Sequence, residues 1–222
     1  QPLAWMAAFG NVDHTTGYIV GGITKGPGQS AHSRIQKMTY STETIANTPA
    51  NMQNNYFNLG TSSGPDSAYL YSQQEYPGYT AGGNIQKFVY ATDSRTTIPQ
   101  SSYYPTYGAN GTGNSTNGYY GGGYSPSSPG HRFTRILKLS FSTGLGQDLP
   151  SSQFANPGVY RSAASSAVAR KKSPKGEPVP TPTSSTSPVD GLAPNFGVAG
   201  GGDVIPGGTY TLFDKLTYST ET

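Results

Sequence analysis

The residues that could do chemistry in this 222-residue chain are few and scattered. Its three histidines, His14, His32 and His131, lie in loop-like contexts, and no two have the spacing that brings metal ligands together on a helix turn or a strand. Cysteine is absent, which excludes disulfides, thiolate metal sites and cysteine nucleophiles. The sequence therefore predicts no metal site and no cofactor.

The carboxylates do not form an obvious catalytic set either. The 11 Asp and Glu residues are dispersed, and Asp13, Glu43, Asp93 and Asp148 lie near expected turns, where such side chains satisfy backbone donors. General acid–base catalysis on a polysaccharide would need carboxylates that converge from matching positions. The sequence therefore predicts no catalytic residue and a protein that is not an enzyme.

Tyrosine is the chemically interesting excess, with 17 copies in the chain. The candidate ligand-binding residues are the crowded tyrosines Tyr103, Tyr104, Tyr107 and Tyr124, between which lie Tyr119 and Tyr120. Aromatic faces can stack on sugar rings, and the same amphipathic side chains also suit protein interfaces. The competing interpretation is that Tyr119 belongs to the core of a repeat and that several of the others cover its surface.

The charge distribution argues against two kinds of partner. The net charge is +3, and four of the positive charges fall within Arg170–Lys175, so the rest of the chain is close to neutral. No general field attracts nucleic acid or a membrane surface. The longest apolar run, Leu3–Phe9, is too short for a membrane helix. The chain opens at Gln1 without a signal peptide, and we expect its start to have been processed or trimmed.

The elements that must position these residues are revealed by a repeat. The pattern apolar-x-Lys-apolar-x-Tyr/Phe-Ser/Ala-Thr occurs at Ile35–Thr42, Ile85–Thr92, Ile136–Thr143 and Phe213–Thr220. A glycine-rich element precedes each copy, at Gly17–Gly22, Gly78–Gly83, Gly118–Gly123 and Gly197–Gly202. A proline follows the first three copies, at Pro49, Pro99 and Pro150. Three marks in a fixed order indicate one structural unit repeated four times.

The spacing of the repeat indicates its architecture. Its aromatic residues at 40, 90, 141 and 218 are 50, 51 and 77 residues apart. A period near 50 is typical of the Kelch type of propeller blade. The predicted units are residues 1–44, 45–94, 95–144 and 145–222. The extra length of the last unit is Ala169–Gly191, a basic Pro/Ser/Thr-rich insertion that we expect to be an extended, mobile surface loop.

Each unit resolves into expected strands. In the first copy, alternation puts Met38 and Tyr40 on one face and Ile35 and Lys37 on the other, and we expect the Met38/Tyr40 face to be buried. The equivalent pairs are Phe88/Tyr90, Leu139/Phe141 and Leu216/Tyr218. The glycine-rich element is expected to be a second strand, and another is expected after Tyr-Ser-Thr. Further strands are expected at Leu3–Phe9, Tyr56–Gly60, Tyr103–Gly108 and Val159–Ala164.

Four strands per unit predict an all-β chain, a β-propeller-like array of about four four-stranded blades. Two arrangements remain open at this point. The four units either close on themselves as a small ring or form a segment of a longer propeller. An open stack would leave edge strands that need a partner chain or domain.

The repeat also resembles a known group of proteins. The run Gly113–Gly123 and the four Tyr-Ser-Thr-like copies resemble the Kelch-like propeller repeats of marine tailed phages, over essentially the whole chain except Ala169–Gly191. This resemblance implies a non-enzymatic component of the virion surface: a capsid knob, a tail appendage or a fibre. The implied partners are other virion proteins or copies of the chain itself, and the implied location is the particle surface, otherwise extracellular. Two alternatives use the same fold: an adhesin that binds host glycans, and a polysaccharide hydrolase.

Overall fold

The computed structural model of the protein describes residues 3–11, 13–24, 27–71, 73–101, 105–125, 135–153, 163–166, 196–204 and 208–217. These residues form strands and turns and no helix, so the expectation of an all-β, propeller-like fold is confirmed. None of them belongs to a helix that could cross a membrane.

Four antiparallel sheets follow one another along the chain, each a simple meander. The first sheet consists of Ala7–Gly10, Thr16–Val20, Arg34–Thr39 and Thr44–Asn51, in this order across the sheet. The second consists of Gly60–Ser63, Ser67–Tyr71, Asn84–Val89 and Ser94–Ser101. The third consists of Asn110–Gly113, Asn117–Gly121, Arg135–Ser140 and Gly146–Gln153. The fourth consists, among the described residues, of Ala163–Ser166, Phe196–Val204 and Gly208–Thr217.

Two small ladders extend the first and second sheets at one end. Leu3–Ala4 pairs with Ile23–Thr24, and Gln73–Glu75 pairs with both Tyr56–Phe57 and Thr80–Gly82. In each case the residues just before the first strand of a sheet pair with residues just after its second strand.

The first strands of the four sheets lie side by side and are packed closely. A Cβ on Gly60 would lie 2.8 Å from the carbonyl oxygen of Ala109, and a Cβ on Gly111 would collide with the carbonyl oxygen of Thr61. Because main chain meets main chain at these two positions, only glycine fits them. The glycines therefore allow neighbouring sheets to approach along their inner edge.

The hairpin between the third and fourth strands turns in the same way in three sheets. The residue after Tyr/Phe-Ser/Ala-Thr has a positive φ each time, 52° at Glu43, 48° at Asp93 and 70° at Gly144. Left-handed backbone of this kind suits glycine and is tolerated by short polar side chains. The second half of the repeated pattern is therefore a turn that ends the third strand.

The hydrophobic core lies between the sheets. Phe9, Tyr18 and Ile35 of the first sheet pack against Leu70 and Phe88 of the second. The same arrangement recurs one step on, where the buried residues are Tyr69, Tyr71 and Ile85 of the second sheet and Tyr120, Leu137 and Leu139 of the third. The second sheet is thus covered on both faces, as in a propeller.

The expected second strand at Gly78–Gly83 is wrong. The second strand of that sheet is Ser67–Tyr71, in which Tyr69 pairs with Lys87 as Tyr18 pairs with Lys37. Gly78–Gly83 overlaps instead with the ladder strand Thr80–Gly82. The glycines misled the assignment because Gly78 and Gly83 lie outside strands here and Gly82 ends a small ladder strand, whereas the second strand of the sheet carries buried Leu and Tyr side chains without glycine.

The further strands that were expected, from Leu3, Tyr56, Tyr103 and Val159 onward, correspond to the first strands of the four sheets but are displaced along the chain. The structure begins these strands at Ala7, Gly60, Asn110 and Ala163, which is four, four, seven and four residues after the expected starts. Apolar residues such as Leu3 and Tyr56 attracted the assignment, but they belong to the small ladders.

The prediction of one buried face is correct only in part. Phe88 and Leu139 are fully buried, but Met38 is half-buried and Tyr40 is 46% exposed. The opposite face is buried as well, at Ile35 and Ile85, because each of these positions contacts the following sheet. The side chains of Leu216 and Tyr218 and the insertion Ala169–Gly191 lie outside the described part of the chain. The division into units at 44, 94 and 144 stays a prediction.

Candidate functional site

The most suggestive surface lies at the end of the sheets that carries the small ladders, which we call the loop end. In three sheets a residue just before the first strand faces a residue just after the second: Ala4 faces Ile23, Phe57 faces Gln74, and Tyr107 faces Tyr124. The equivalent positions hold different residues, so the loop end is where the otherwise regular sheets differ chemically.

The structure brings together two of the four candidate tyrosines. Tyr107 and Tyr124 exchange two backbone hydrogen bonds, of 3.0 and 2.9 Å, and their ring centroids lie 5.4 Å apart. Both residues are half-buried, so part of each ring faces solvent. Tyr103 and Tyr104 lie outside the described residues. The intervening Tyr119 and Tyr120 are buried in the cores, as the competing interpretation predicted for Tyr119.

A second group of aromatic residues at the loop end was not predicted, and we call it the aromatic loop cluster: Trp5, Phe57, Tyr76 and Tyr79. The ring of Trp5 stacks on buried Phe57 at 5.7 Å, and Tyr79 meets both Phe57 and Tyr76 edge-on at 5.8 Å. Tyr79 is 44% exposed. Edge-on and stacked contacts fix the ring planes, so the cluster presents aromatic surface in a defined orientation.

Polar side chains lie next to this cluster and bond one another and its backbone. The Asn58 amide donates to the Gln74 side-chain oxygen at 2.9 Å, and the Gln74 amide reaches the carbonyl oxygen of Tyr79 at 3.5 Å. Nearby, Asn54 donates to Glu75 at 2.8 Å. Burial, and next the charge of Glu75, raise the pKa of the Tyr56 hydroxyl above its ordinary value. Amide and carboxylate groups beside aromatic rings can bond the hydroxyls of a polar ligand.

A line of backbone hydrogen bonds connects the two aromatic groups. The Asn58 N–H donates to the carbonyl oxygen of Trp5 at 3.1 Å, and the Gly108 N–H donates to that of Asn58 at 2.8 Å. All three residues have positive φ, of 56°, 50° and 73°. They stand two residues before the first strands of successive sheets. The loop end is therefore a continuous structure across three sheets.

A group of electrostatic contacts lies away from the loop end, between the first and second sheets. The Asp93 carboxylate accepts a hydrogen bond from the Tyr18 hydroxyl at 2.9 Å. It also forms an ion pair with Lys37 Nζ at 3.0 Å. The hydrogen bond to Asp93 raises the pKa of the Lys37 ammonium, and burial raises that of the Tyr18 hydroxyl. We call Tyr18, Lys37 and Asp93 the inter-sheet latch. Its charges bond each other and hold two sheets together.

The other titratable residues do not assemble into a metal or catalytic site within the described ranges. No group of three or more His, Asp or Glu side chains is close enough to hold a metal ion there. Asp148 pairs with Arg135 at 3.1 Å, and His14 lies in a turn with a φ of 53°. His131 and Arg170–Lys175 fall outside the described residues.

Sequence reasoning missed the aromatic loop cluster for an identifiable reason. Tyr79 lies within the glycine-rich copy Gly78–Gly83, which was assigned to a sheet strand, and Trp5 stands outside every repeated motif. The signal that could have found them is irregularity: Trp5 occupies the position that Asn58 and Gly108 hold in the next two sheets. A large aromatic residue at a left-handed position is uncommon and points to a local role.

Comparison with known proteins supports the fold and does not assign a family. No protein-family model matches the chain, and no curated protein sequence matches it. The solved structure of YjhT, a β-propeller of the Kelch type, is similar with a TM-score of 0.64 and 14% sequence identity. The similarity covers 90% of this chain and 59% of YjhT. The chain thus has a propeller-like β fold and spans well under two thirds of the length of that relative.

Proposed function

We propose that this protein is a non-enzymatic structural and interaction protein of a phage particle surface, as a capsid knob, a tail appendage or a fibre. The observation that carries the proposal is a repeated antiparallel sheet in which the carboxylates of Asp93, Asp148 and Glu75 bond other side chains of the protein. Its partners are other virion proteins or copies of the chain, and its location is the virion surface, otherwise extracellular.

The contacts of the carboxylates support a structural role. Asp93 bonds Tyr18 and Lys37 across two sheets, Asp148 bonds Arg135, and Glu75 bonds Asn54. Each of these pairs ties one strand or loop to another. Catalytic carboxylates, in contrast, converge on a shared cleft. The resemblance of the repeat to phage proteins supplies the virion part of the proposal.

The placement is tested on purified particles of the source phage. We expect peptides of this chain by mass spectrometry at a constant number of copies per particle, and surface labelling by a specific antibody in electron microscopy. Particles stripped of loosely bound host protein by a density gradient provide the control. Absence of the chain from such particles contradicts the proposal.

A second candidate function is glycan binding on the host surface, and the loop end favours it. Tyr107 and Tyr124 form an adjacent pair, and the aromatic loop cluster adds Tyr79, whose carbonyl oxygen accepts from the Gln74 amide. This combination of flat apolar rings and hydrogen-bonding groups suits sugar rings with their hydroxyls.

A glycan array decides this second candidate. We expect binding by the wild type and at least about a tenfold loss, roughly 1.4 kcal/mol, in the double variant Tyr107→Ala/Tyr124→Ala or in Tyr79→Ala. The matched control is Leu145→Ala, an apolar residue that is 59% exposed in a turn at the other end of the sheets. A wild type that binds nothing, or variants that bind as well as the wild type, would remove the adhesin hypothesis.

A further inference from the structure

Tyr107 and Tyr124 are placed so that their rings can react with each other. The two residues lie directly opposite each other in an antiparallel bridge, and the N–H of each donates to the carbonyl oxygen of the other, at 3.0 and 2.9 Å. Residues that are directly opposite in this way carry their side chains on the same face. The ring centroids are 5.4 Å apart and the ring planes are inclined by 57°, which is the geometry of an aromatic pair in contact.

Both rings of this pair are also within reach of a dissolved oxidant. Each residue is half-buried, so part of each ring faces solvent. Two other tyrosine pairs show why closeness and access are both needed. Tyr71 and Tyr120 are as close, at 5.1 Å, but both are buried. Tyr76 and Tyr79 reach solvent, but their rings meet edge-on at 84°, so the edge of one ring points at the face of the other.

We propose that Tyr107 and Tyr124 are a site of oxidative crosslinking, at which a one-electron oxidant joins the two rings as dityrosine. Each phenol gives one electron to the oxidant and its hydroxyl proton to water, which leaves two tyrosyl radicals side by side. A carbon–carbon bond forms between the ring carbons next to the two hydroxyl-bearing carbons. The hydrogen atom on each of the joined carbons then moves to the phenol oxygen of its own ring. Two equivalents of oxidant are reduced, and no other group leaves.

This crosslink acts as a covalent staple in a chain that has no cysteine and therefore no disulfide. The two tyrosines stand on either side of the first two strands of the third sheet, Asn110–Gly113 and Asn117–Gly121. A bond between them closes this hairpin into a covalent loop at the loop end. Closing a loop stabilises a protein chiefly by restricting its unfolded chain. The inference does not depend on where the protein is located or on whether it binds a glycan.

The first test oxidises the 222-residue chain at low concentration with a light-activated ruthenium complex and persulfate. We expect dityrosine fluorescence in the band that has the mass of one chain on a denaturing gel. Tryptic peptide 96–132 contains both residues and should lose two hydrogen atoms in total. Its fragment ions from backbone bonds between residues 107 and 124 should be missing, because the crosslink holds the pieces together. A peptide without this mass loss, when the same reagent converts free tyrosine to dityrosine, overturns the proposal.

The second test assigns the crosslink with Tyr107→Phe and Tyr124→Phe. Each variant keeps an aromatic ring in the pair but lacks the phenol that forms the radical, and circular dichroism establishes that it is folded. We expect an almost complete loss of the crosslinked peptide 96–132 in either variant. The matched control is Tyr40→Phe, which removes an exposed tyrosine of the first sheet and should keep the yield of the wild type. An undiminished yield in Tyr107→Phe or Tyr124→Phe shows that other tyrosines react, and the assignment is wrong.

The stapling role is measured by thermal unfolding of the crosslinked single chain, separated from larger species. We expect its melting temperature to be about 5 °C above that of the untreated wild type. Tyr124→Phe that has been treated identically shows the effect of other oxidation products, and it should melt no higher than its untreated form. A crosslinked wild type that gains nothing relative to this control contradicts the role as a staple.

Discussion

The inter-sheet latch shows how one residue, Asp93, determines the contacts between two sheets. Tyr18 and Lys37 face each other across two strands, with the ammonium 5.8 Å from the ring centroid, and both reach the carboxylate of Asp93. In the next sheet, Tyr69 and Lys87 repeat the pair, but the receiving turn holds Gly144, and the Tyr69 hydroxyl donates to the carbonyl oxygen of Phe141 at 2.9 Å. The same repeat therefore forms a charged contact between the first and second sheets and a neutral contact between the second and third.

At this scale we predict that the charge of Asp93 contributes measurably to stability. Asp93→Asn keeps a side chain that tolerates the left-handed turn and still accepts the Tyr18 hydrogen bond, but it removes the negative charge. We expect a loss of about 1 kcal/mol in the free energy of unfolding, because the pair is partly exposed to solvent. Urea unfolding measures it, together with Lys37→Met and the double variant.

The double-mutant cycle isolates the pair from other effects of each change. We expect the coupling between the two substitutions to account for most of the loss. Strictly additive effects of Asp93→Asn and Lys37→Met would show that the ion pair does not stabilise the join.

At the scale of elements, close contact of the inner strands determines how the sheets stack. The first strands of neighbouring sheets approach so closely that Gly60 and Gly111 face the main chain of the adjacent strand. Ser62 and Tyr120 bond each other across the same interface at 2.6 Å, and the Tyr120 hydroxyl also donates to the carbonyl oxygen of Tyr69 at 3.0 Å. Packing and hydrogen bonding at this inner edge are therefore coupled.

A methyl group tests this contact. Gly111→Ala would place its Cβ against the carbonyl oxygen of Thr61, and backbone cannot move aside as a side chain can. We expect a loss of at least about 2 kcal/mol in the free energy of unfolding, measured by urea or thermal unfolding.

The matched control is Gly10→Ala in the first strand of the first sheet. Its added Cβ would meet its nearest atoms at 3.6 and 3.9 Å, which is ordinary van der Waals contact. We expect a change within about 0.5 kcal/mol. Equal effects of the two substitutions would contradict close packing at the inner edge.

At the scale of the whole molecule, buried tyrosines make stability depend on alkaline pH. Burial raises the pKa of the hydroxyls of Tyr69, Tyr90 and Tyr120, among others, above the value of about 10 found in an unfolded chain. The unfolded chain therefore loses these protons first as the pH rises. Since the folded state then binds more protons than the unfolded one, its stability falls above pH 10. The raised pKa of Lys37 acts in the same direction.

We predict nearly constant stability from pH 7 to 9 and a steep loss above about pH 10. One tyrosine that is ionised only when unfolded contributes a slope of about 1.4 kcal/mol per pH unit. Urea unfolding at several pH values measures the slope, and absorbance near 295 nm follows tyrosinate. Tyr120→Phe should lower the stability at neutral pH, because Ser62 loses its partner, and should make the alkaline slope shallower. Full ionisation of tyrosine near pH 10 in a folded chain would contradict burial of these side chains.

Particular residues show how far the sequence carried the fold. Lys37, Lys87, Lys138 and Lys215 recur at one position of the third strand, and the strand around each of them was predicted correctly because alternation and the adjoining turn are local properties. Ser67–Tyr71 was not recognised as a strand of the second sheet, because its place is fixed by pairing with distant Lys87 and by burial between two sheets. Trp5 and Tyr79 could not be connected from the sequence, since 74 residues separate them and only loop packing unites them.

The sequence by itself determined the all-β class, the period and the repeated third strand with its turn, because these depend on residue types within a few positions of each other. Only the tertiary structure decided which side chains meet: the latch at Asp93, the pair Tyr107 and Tyr124, and the aromatic loop cluster. Contacts between sheets join residues some 50 positions apart in a repeat that looks nearly the same each time. Residues at equivalent positions of the repeat, such as Tyr40 and Tyr90, therefore differ in burial according to whether a neighbouring sheet covers them.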